Sequence, residues 1–345
     1  MDAASSSERW KMPAEWEIHE RTWMAWPSAA YTLGSDPVET DSDIAMIAWA
    51  TWAAVANAII CFEPVTMLCQ IDKLESAKKM LDPRVELVLA ELNDAWMRDI
   101  GPTFVKNCMG EVAGVSWVFN GWGEQSWASW DKDAVISDII IEMAAVKRIS
   151  SKLINEGGGF HVNGEGVVLL TDTVQLGEGR NSYLTRAAVE EEIHSKLGTT
   201  AAIWLPRGLT RDYDEYGTRG HVDIVACFAT PKTIFFHDQQ NPDHPDYFVS
   251  REVRKILEEA GEFEVIGIPA PKIIRDKSGV VDYSYINFYL VNGGVIMCAF
   301  NDANDEIAKN IFESVYPDRK IVLIDATELF ARGGGIHCIT QQQPR

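Results

Sequence analysis

Four polar clusters interrupt an otherwise apolar chain, each at a glycine turn or a strand end. They are Trp96-Met-Arg-Asp99-Ile-Gly, Asn155-Glu156-Gly-Gly-Gly159 running on to Glu165, Gly220-His221-Val-Asp223, and Gly333-Gly-Gly-Ile-His337-Cys338. The last presents one thiol behind a triple glycine, in a tail without Asp, Glu, Lys or Arg from Gly333 to Pro344. A polar terminus normally frays; this one reads as docked in the protein, with glycines that let its backbone turn sharply or approach a ligand. Cys338 is therefore a candidate nucleophile, although a free cysteine is more often a small apolar filler. His221 and Asp223 stand two apart on an expected strand, His221–Phe228, so their side chains should share one face. A histidine and a carboxylate there are costly to bury unless paired or used. Glu156 and Asp99 supply two further carboxylates, each of which could equally be a polar strand end or a surface ion pair.

The framework must hold these clusters together. The chain has 345 residues and is 46% hydrophobic, enough for a sizeable core. Its net charge of −20 argues against nucleic acid and anionic membrane surfaces as partners and favours cationic ligands. Six scattered cysteines without C-x-x-C spacing read as reduced thiols, and no metal site is expected. His237-Asp-Gln-Gln-Asn-Pro-Asp-His244 carries metal-ligand residue types, yet its spacing reads as a loop. The glycine runs lack the strand-to-helix context of a dinucleotide fingerprint, so no cofactor is expected. His161 and His194 read as structural or exposed, and the N-terminal tryptophans as core packing. Met1–Arg9 has no basic or apolar leader pattern and no apolar run is long enough for a bilayer, which places the expected location in the cytoplasm.

Periodicity predicts short strands at Thr22–Trp26, Val65–Gln70, Val85–Leu89, Thr103–Val105 and Val112–Phe119, with helices at Asp43–Phe62, capped by Asp43, and at Asp133–Lys147. The pattern continues in the second half, with helices at Thr185–Leu197, Tyr247–Glu259 and Asn304–Ser314. Short strands thus recur with one helix per group about five times. Strands are too frequent for a doubly wound sheet, and a radial array of β-β-α-β units fits better. Residues 1–10 read as a loose N-terminal segment and 11–345 as a single domain.

The chain resembles the agmatine deiminases of the guanidine-modifying, pentein-fold superfamily. The likeness runs through Met12-Pro-Ala-Glu-Trp16, Trp23-Met-Ala-Trp-Pro27, Asn93-Asp-Ala-Trp-Met-Arg-Asp-Ile-Gly-Pro102, Glu156-Gly-Gly, Gly179-Arg-Asn181, Gly220-His-Val-Asp223 and Ile336-His-Cys-Ile-Thr-Gln-Gln-Gln-Pro344. The resemblance implies an α/β fold, a five-bladed propeller of pseudo-fivefold ββαβ repeats with the site at its centre. It implies Cys338 as nucleophile, His221 as general acid and base, and Asp99, Glu156 and Asp223 around a guanidinium, with Trp96 lining the pocket. It also implies a small guanidine substrate, agmatine, in a route to putrescine, and a homodimer or higher homo-oligomer. Two positions depart from the usual pattern: Asn163, where many relatives carry an aspartate, and Gly335, where an asparagine is frequent. Neither is a reacting group; Gly335 is counted with the substrate-binding residues.

The residue types agree with that chemistry on their own terms. A guanidinium is planar, charged and forked. Carboxylates can hold it by paired hydrogen bonds and aim its carbon at sulfur. Thiolate attack, protonation of departing ammonia by an imidazolium and hydrolysis by water divide one hard step into two. The loop from Arg211 to Arg219 supplies Asp214 and Tyr216 as groups that could face the substrate's distal amine, while its arginines could instead serve a carboxylate. The rivals are arginine or peptidyl-arginine deiminases and amidinotransferases with the same chemistry, a papain-like amide hydrolase, and a silent binding protein of the same fold.

Overall fold

The computed structural model describes residues 9–28, 32 and 43–345. Most of the loose segment expected at 1–10 lies outside the described residues. Five sheets repeat one plan. The first contains β1 (His19–Ala25), β2 (Val65–Cys69) and β3 (Glu86–Leu89), with α1 (Asp43–Ile59) between β1 and β2. The second is β4 (Thr103–Lys106), β5 (Val112–Val118), α2 (Ile136–Met143) and β6 (Lys147–Ile154). The third is β7 (Phe160–Val162), β8 (Val167–Thr171), α3 (Arg186–Leu197) and β9 (Ala201–Leu205). The fourth is β10 (Ala226–Thr230), β11 (Thr233–Asp238), α4 (Asp246–Glu259) and β12 (Glu264–Pro269). The fifth is β13 (Tyr289–Val291), β14 (Gly294–Ala299), α5 (Asp305–Val315) and β15 (Lys320–Asp325). In sheets two to five an antiparallel pair leads through a helix to a strand lying parallel to the second.

Local sequence explains these units. In α1, Ala45, Ala48, Trp49, Trp52, Ala53, Ala56 and Ile59 recur at helical spacing and are buried. Trp49 stacks on Trp26 with ring centroids 6.3 Å apart, and Trp23 and Trp26 are core residues, while Trp16 is half-buried against the core. α3 begins at Thr185, whose hydroxyl accepts from the Ala188 amide, and stops at left-handed Gly198. The middle strands, flanked on both sides, are mostly apolar, and all of Val65–Cys69 is buried.

The first sheet takes its antiparallel member from the far end of the chain. β16 (Gln341–Pro344) pairs with β1, Trp23 opposite Gln341 and Thr22 opposite Gln342. The tail is therefore docked, and the thiol sits just before this strand. Trp23 Nε1 donates to Gln343, and Arg98 Nη1 to Gln342.

Several boundaries differ from expectation: the strand expected at Thr22–Trp26 runs His19–Ala25, and the helix expected to reach Phe62 ends at Ile59. Asp43 lies inside the first turn of α1 rather than ahead of it. The helix expected to reach Lys147 ends at Met143, because Ala145 takes a positive φ and the chain turns into β6. The strand expected at His221–Phe228 begins only at Ala226; Val222–Ile224 is a single tight turn. Gly220 adopts φ 120°, and the Thr218 hydroxyl accepts the His221 amide, so the chain is bent where a strand was expected.

Deleting residues 341–345 should remove the four residue pairings with β1. With about one hydrogen bond per pairing on average and about 1 kcal/mol per bond, the loss is on the order of 4 kcal/mol. A thermal melt of the truncated chain that matches the full chain would refute this role for the tail.

Candidate active site

Loops and turns, not strand faces, carry the polar clusters. Cys338 belongs to the turn His337–Ile339 ahead of β16, His221 and Asp223 to the bent segment before β10, Glu156 to the end of β6, and Asp99 to the short helix Met97–Ile100. The backbone brings them together because two glycines leave no side chain between them. A Cβ on Gly158 would lie 2.4 Å from His221 Nδ1 and 3.1 Å from Asp223 Oδ2. One on Gly335 would lie 2.5 Å from Asn287 Oδ1, so Gly335 allows Asn287 its approach to the thiol.

Cys338 Sγ lies 3.6 Å from Asp223 Oδ2 and 3.4 Å from Asn287 Oδ1. Asn287 Oδ1 also accepts the Cys338 amide, and its Nδ2 donates to the Asp223 carbonyl. His221 stands between two carboxylates: Nε2 is 3.4 Å from Glu156 Oε2, and Nδ1 is 3.8 Å from Asp99 Oδ1. Glu156 is gripped by Arg180 Nε, 3.0 and 3.1 Å from its two oxygens, while Arg180 Nη2 donates to the Thr218 carbonyl. Asp99 accepts from Trp122 Nε1 at 2.9 Å and the Gly158 amide at 3.0 Å. All these side chains are buried. His221 Nδ1 and Asp223 Oδ1 have no hydrogen-bond partner among the described residues, so a buried donor position and a buried acceptor position remain open in the site.

Electrostatics follow from this packing. Burial pushes the Cys338 thiol up, Asp223 and Asp99 push it further, and the Gly335 amide and Asn287 act weakly against them. Burial alone would make His221 less basic, yet Asp99 and Glu156 raise it to about 9. Asp99 is shifted upward, chiefly by burial and against the pull of His221. Glu156 and Asp223 are shifted downward despite burial, the first by Arg180 and His221, the second by its hydrogen bond to His337. At neutral pH the resting pair is thus neutral thiol and charged imidazolium.

Of the other expected residues, Trp96 is buried edge-on against Trp52, and a Cβ on Gly334 would lie 2.6 Å from its ring. It supports the loop that presents the thiol. Asp214 and Tyr216 stand apart from the ring of carboxylates. They line a cavity of about 350 Å³ together with Asp212, Asp282 and Gly333. The cavity neighbours the site: Tyr216 meets Trp127, which stacks on Trp122, the donor to Asp99.

Sequence reasoning gave no role to Arg180, Asn287, Trp122, Glu15 or His337. Arg180, Glu15 and His337 lie within the quoted motifs; nothing in the sequence marks Asn287 or Trp122. Glu15, His161 and His337 place three possible metal-ligand atoms within 4.8 Å, the one such trio among the described residues. Arg98 Nη1 is 3.6 Å from the same Glu15 oxygen that His337 contacts, and the second His337 nitrogen is taken by Asp223. A fixed guanidinium beside these atoms suits an ion-pair network, not a metal.

The sequence profile of the Porphyromonas-type peptidyl-arginine deiminase family matches residues 11–344. A Streptomyces coelicolor protein provisionally named agmatine deiminase is 54% identical over 341 residues, covering 97% of this chain and 99% of that one. The agmatine deiminase of Pseudomonas aeruginosa is 34% identical, with 98% and 96% covered. The solved agmatine deiminase of Enterococcus faecalis superposes with a TM-score of 0.90 at 30% identity, over 99% of this chain and 97% of that one. Relatives that match it over nearly their full length carry the name agmatine deiminase, and this chain belongs to the Porphyromonas-type peptidyl-arginine deiminase family.

Proposed function

We propose that the protein hydrolyses agmatine to N-carbamoylputrescine and ammonia, with Cys338 as nucleophile, His221 as acid and then base, and Asp99, Glu156 and Asp223 holding the guanidinium. It is a hydrolase of C–N bonds in linear amidines, as are its relatives. The observation that carries the assignment is the thiol 3.6 Å from one buried carboxylate, with an imidazolium between two others. In the first step the Cys338 proton is lost to solvent as the cation binds, the thiolate attacks the guanidinium carbon, and the C–N bond to one terminal amino group breaks as His221 protonates that nitrogen and ammonia leaves. The result is an S-alkylthiouronium. His221, now neutral, takes a proton from water, which adds to the same carbon and expels the thiolate to leave the ureido product.

Agmatine fits the neighbouring cavity better than free arginine does. Its walls carry Asp212, Asp214 and Asp282; burial raises Asp212 and brings Asp282 to about 7, and an ammonium entering beside them would draw both toward their charged forms. An α-carboxylate needs a free cation, and the arginine that lines the cavity, Arg211, is tied to Asp276 at 2.9 Å. That argument also disfavours a peptide backbone in so acidic a space. The five like sheets, closed by β16 on β1, further support a five-bladed propeller centred on the thiol. The reading keeps the protein in the cytoplasm, upstream of putrescine; among the described residues no helix is long and apolar enough to cross a membrane.

Purified protein incubated with agmatine, arginine and a blocked arginine peptide should form ureido product and ammonia from agmatine alone. Cys338→Ser should lower kcat by at least ~10⁴-fold. Turnover of the peptide or arginine instead would keep the mechanism and overturn the substrate.

A second test is pH. The thiol proton must leave before sulfur attacks, so kcat/KM should climb through the neutral range. It should stop climbing as His221 loses its proton near 9. The bound cation lowers the thiol, so the acid limb of kcat should lie at lower pH than that of kcat/KM. Coincident limbs would rule out substrate-assisted ionisation.

A further inference from the structure

His337 precedes the thiol in sequence, and both its ring nitrogens are taken by carboxylates. Its Nδ1 lies 2.8 Å from Asp223 Oδ2, and its Nε2 lies 2.9 Å from Glu15 Oε1. Both partners are carboxylates and accept only, so each ring nitrogen must donate. A neutral imidazole has one N–H; this geometry requires two. The Asp223 oxygen held in this way is the same Oδ2 that lies 3.6 Å from Cys338 Sγ, while Asp223 Oδ1 is buried and unpartnered among the described residues.

We propose that His337 is a positioning residue held as an imidazolium, whose grip on Asp223 Oδ2 sets one carboxylate oxygen beside the sulfur and leaves the other for the substrate cation. The inference rests on the reading of Asp223 as a guanidinium-holding carboxylate. His337 touches no reacting atom; it acts through Asp223.

The groups that face this imidazolium come from five parts of the chain. Glu15 comes from the N-terminal segment, held there by the Lys11 bridge to Lys106 and the Met12 amide on Leu197. Asp223 comes from the turn before β10. Arg98, beside Asp99, donates Nε to the His337 carbonyl at 3.3 Å and lies 3.6 Å from Glu15. His161, on β7, has Nδ1 accepting from the Phe228 amide, which places its proton on Nε2, 3.6 Å from the other Glu15 oxygen. The Cys227 thiol, on β10, lines the same tight space. Burial and Arg98 make His337 less basic, but Glu15 and Asp223 outweigh them and raise it. Glu15 remains well below the usual carboxylate range despite burial, because His337, His161 and Arg98 surround it. Glu15 therefore maintains the charge on His337, and His337 maintains the pose of Asp223.

Two measurements test this. In wild-type protein labelled with ¹⁵N-histidine, with His337→Gln to assign the signal, both His337 ring nitrogens should be protonated at pH 8. A single-proton, neutral ring would overturn the proposal. This reading is taken on the resting protein, so its outcome does not depend on agmatine being the substrate. The second measurement is Glu15→Gln, which keeps an acceptor for Nε2 but removes the charge. Losing a carboxylate in contact should lower the His337 titration by about 1–3 units. The kcat of the variant should then fall as pH rises through the neutral range, where wild type holds level. A merely structural role would lower melting temperature or activity by the same factor at every pH; unchanged limbs of that kind would also overturn the proposal.

Discussion

Carboxylates cannot be withdrawn from water together unless cations come with them. Glu15, Asp99, Glu156 and Asp223 are all buried, and among them stand Arg98, Arg180, His221 and His337. Four negative groups thus face four positive ones, and the thiol is neutral. This balance dictates much of the surrounding structure. It requires histidines at 221 and 337 whose basicity the carboxylates enforce, arginines seated without solvent, and glycines where any side chain would separate the pairs. It also explains why the thiol is hard to ionise at rest. A thiolate would add a fifth negative charge, and only an arriving cation offsets it. A guanidinium meets that need in charge and shape at once.

The division of labour around the ring follows from which groups hold each carboxylate. Glu156 has an arginine on both oxygens and is the most firmly fixed. Asp99 has neutral donors, Trp122 and the Gly158 amide, with His221 at longer range, and is the one shifted upward. Asp223 lies between, clamped on one oxygen and open on the other. On the proposed reading, a planar cation entering this ring would meet acceptors of graded strength, which would orient it more narrowly than three equivalent carboxylates could.

Much of this was legible in the sequence because strands, helices and glycine turns have short-range signatures. The recurrence of short strands with one helix per group is the five-sheet pattern observed, and Asp99, Glu156, His221, Asp223 and Cys338 do converge. The route of convergence was misread. His221 and Asp223 looked like one face of a strand, since Ile224 to Phe228 continues as an apolar run. The bend comes from Thr218, Asp212 and Gly220, whose hydrogen bonds form only in the folded loop. Asn287 was invisible for a related reason. An asparagine between an isoleucine and a phenylalanine carries no local mark of a partner 51 positions away. Glu15 and His337 stood inside recognised motifs, yet their pairing spans 322 residues and no spacing rule could join them.

The pairing of β16 with β1 has a kinetic side. Sheets two to five each draw their strands from one continuous stretch, so their contacts are local and their loops short. The first sheet must bring Trp23 to Gln341 before its antiparallel edge exists. Contacts of such separation carry the largest loop-closure entropy and form late. The turn that presents Cys338 is anchored by that same strand, so the last sheet to close is also the one that places the sulfur. Partly folded forms of this chain would then hold four finished sheets and an unplaced thiol, and reactivity would appear only with the complete fold.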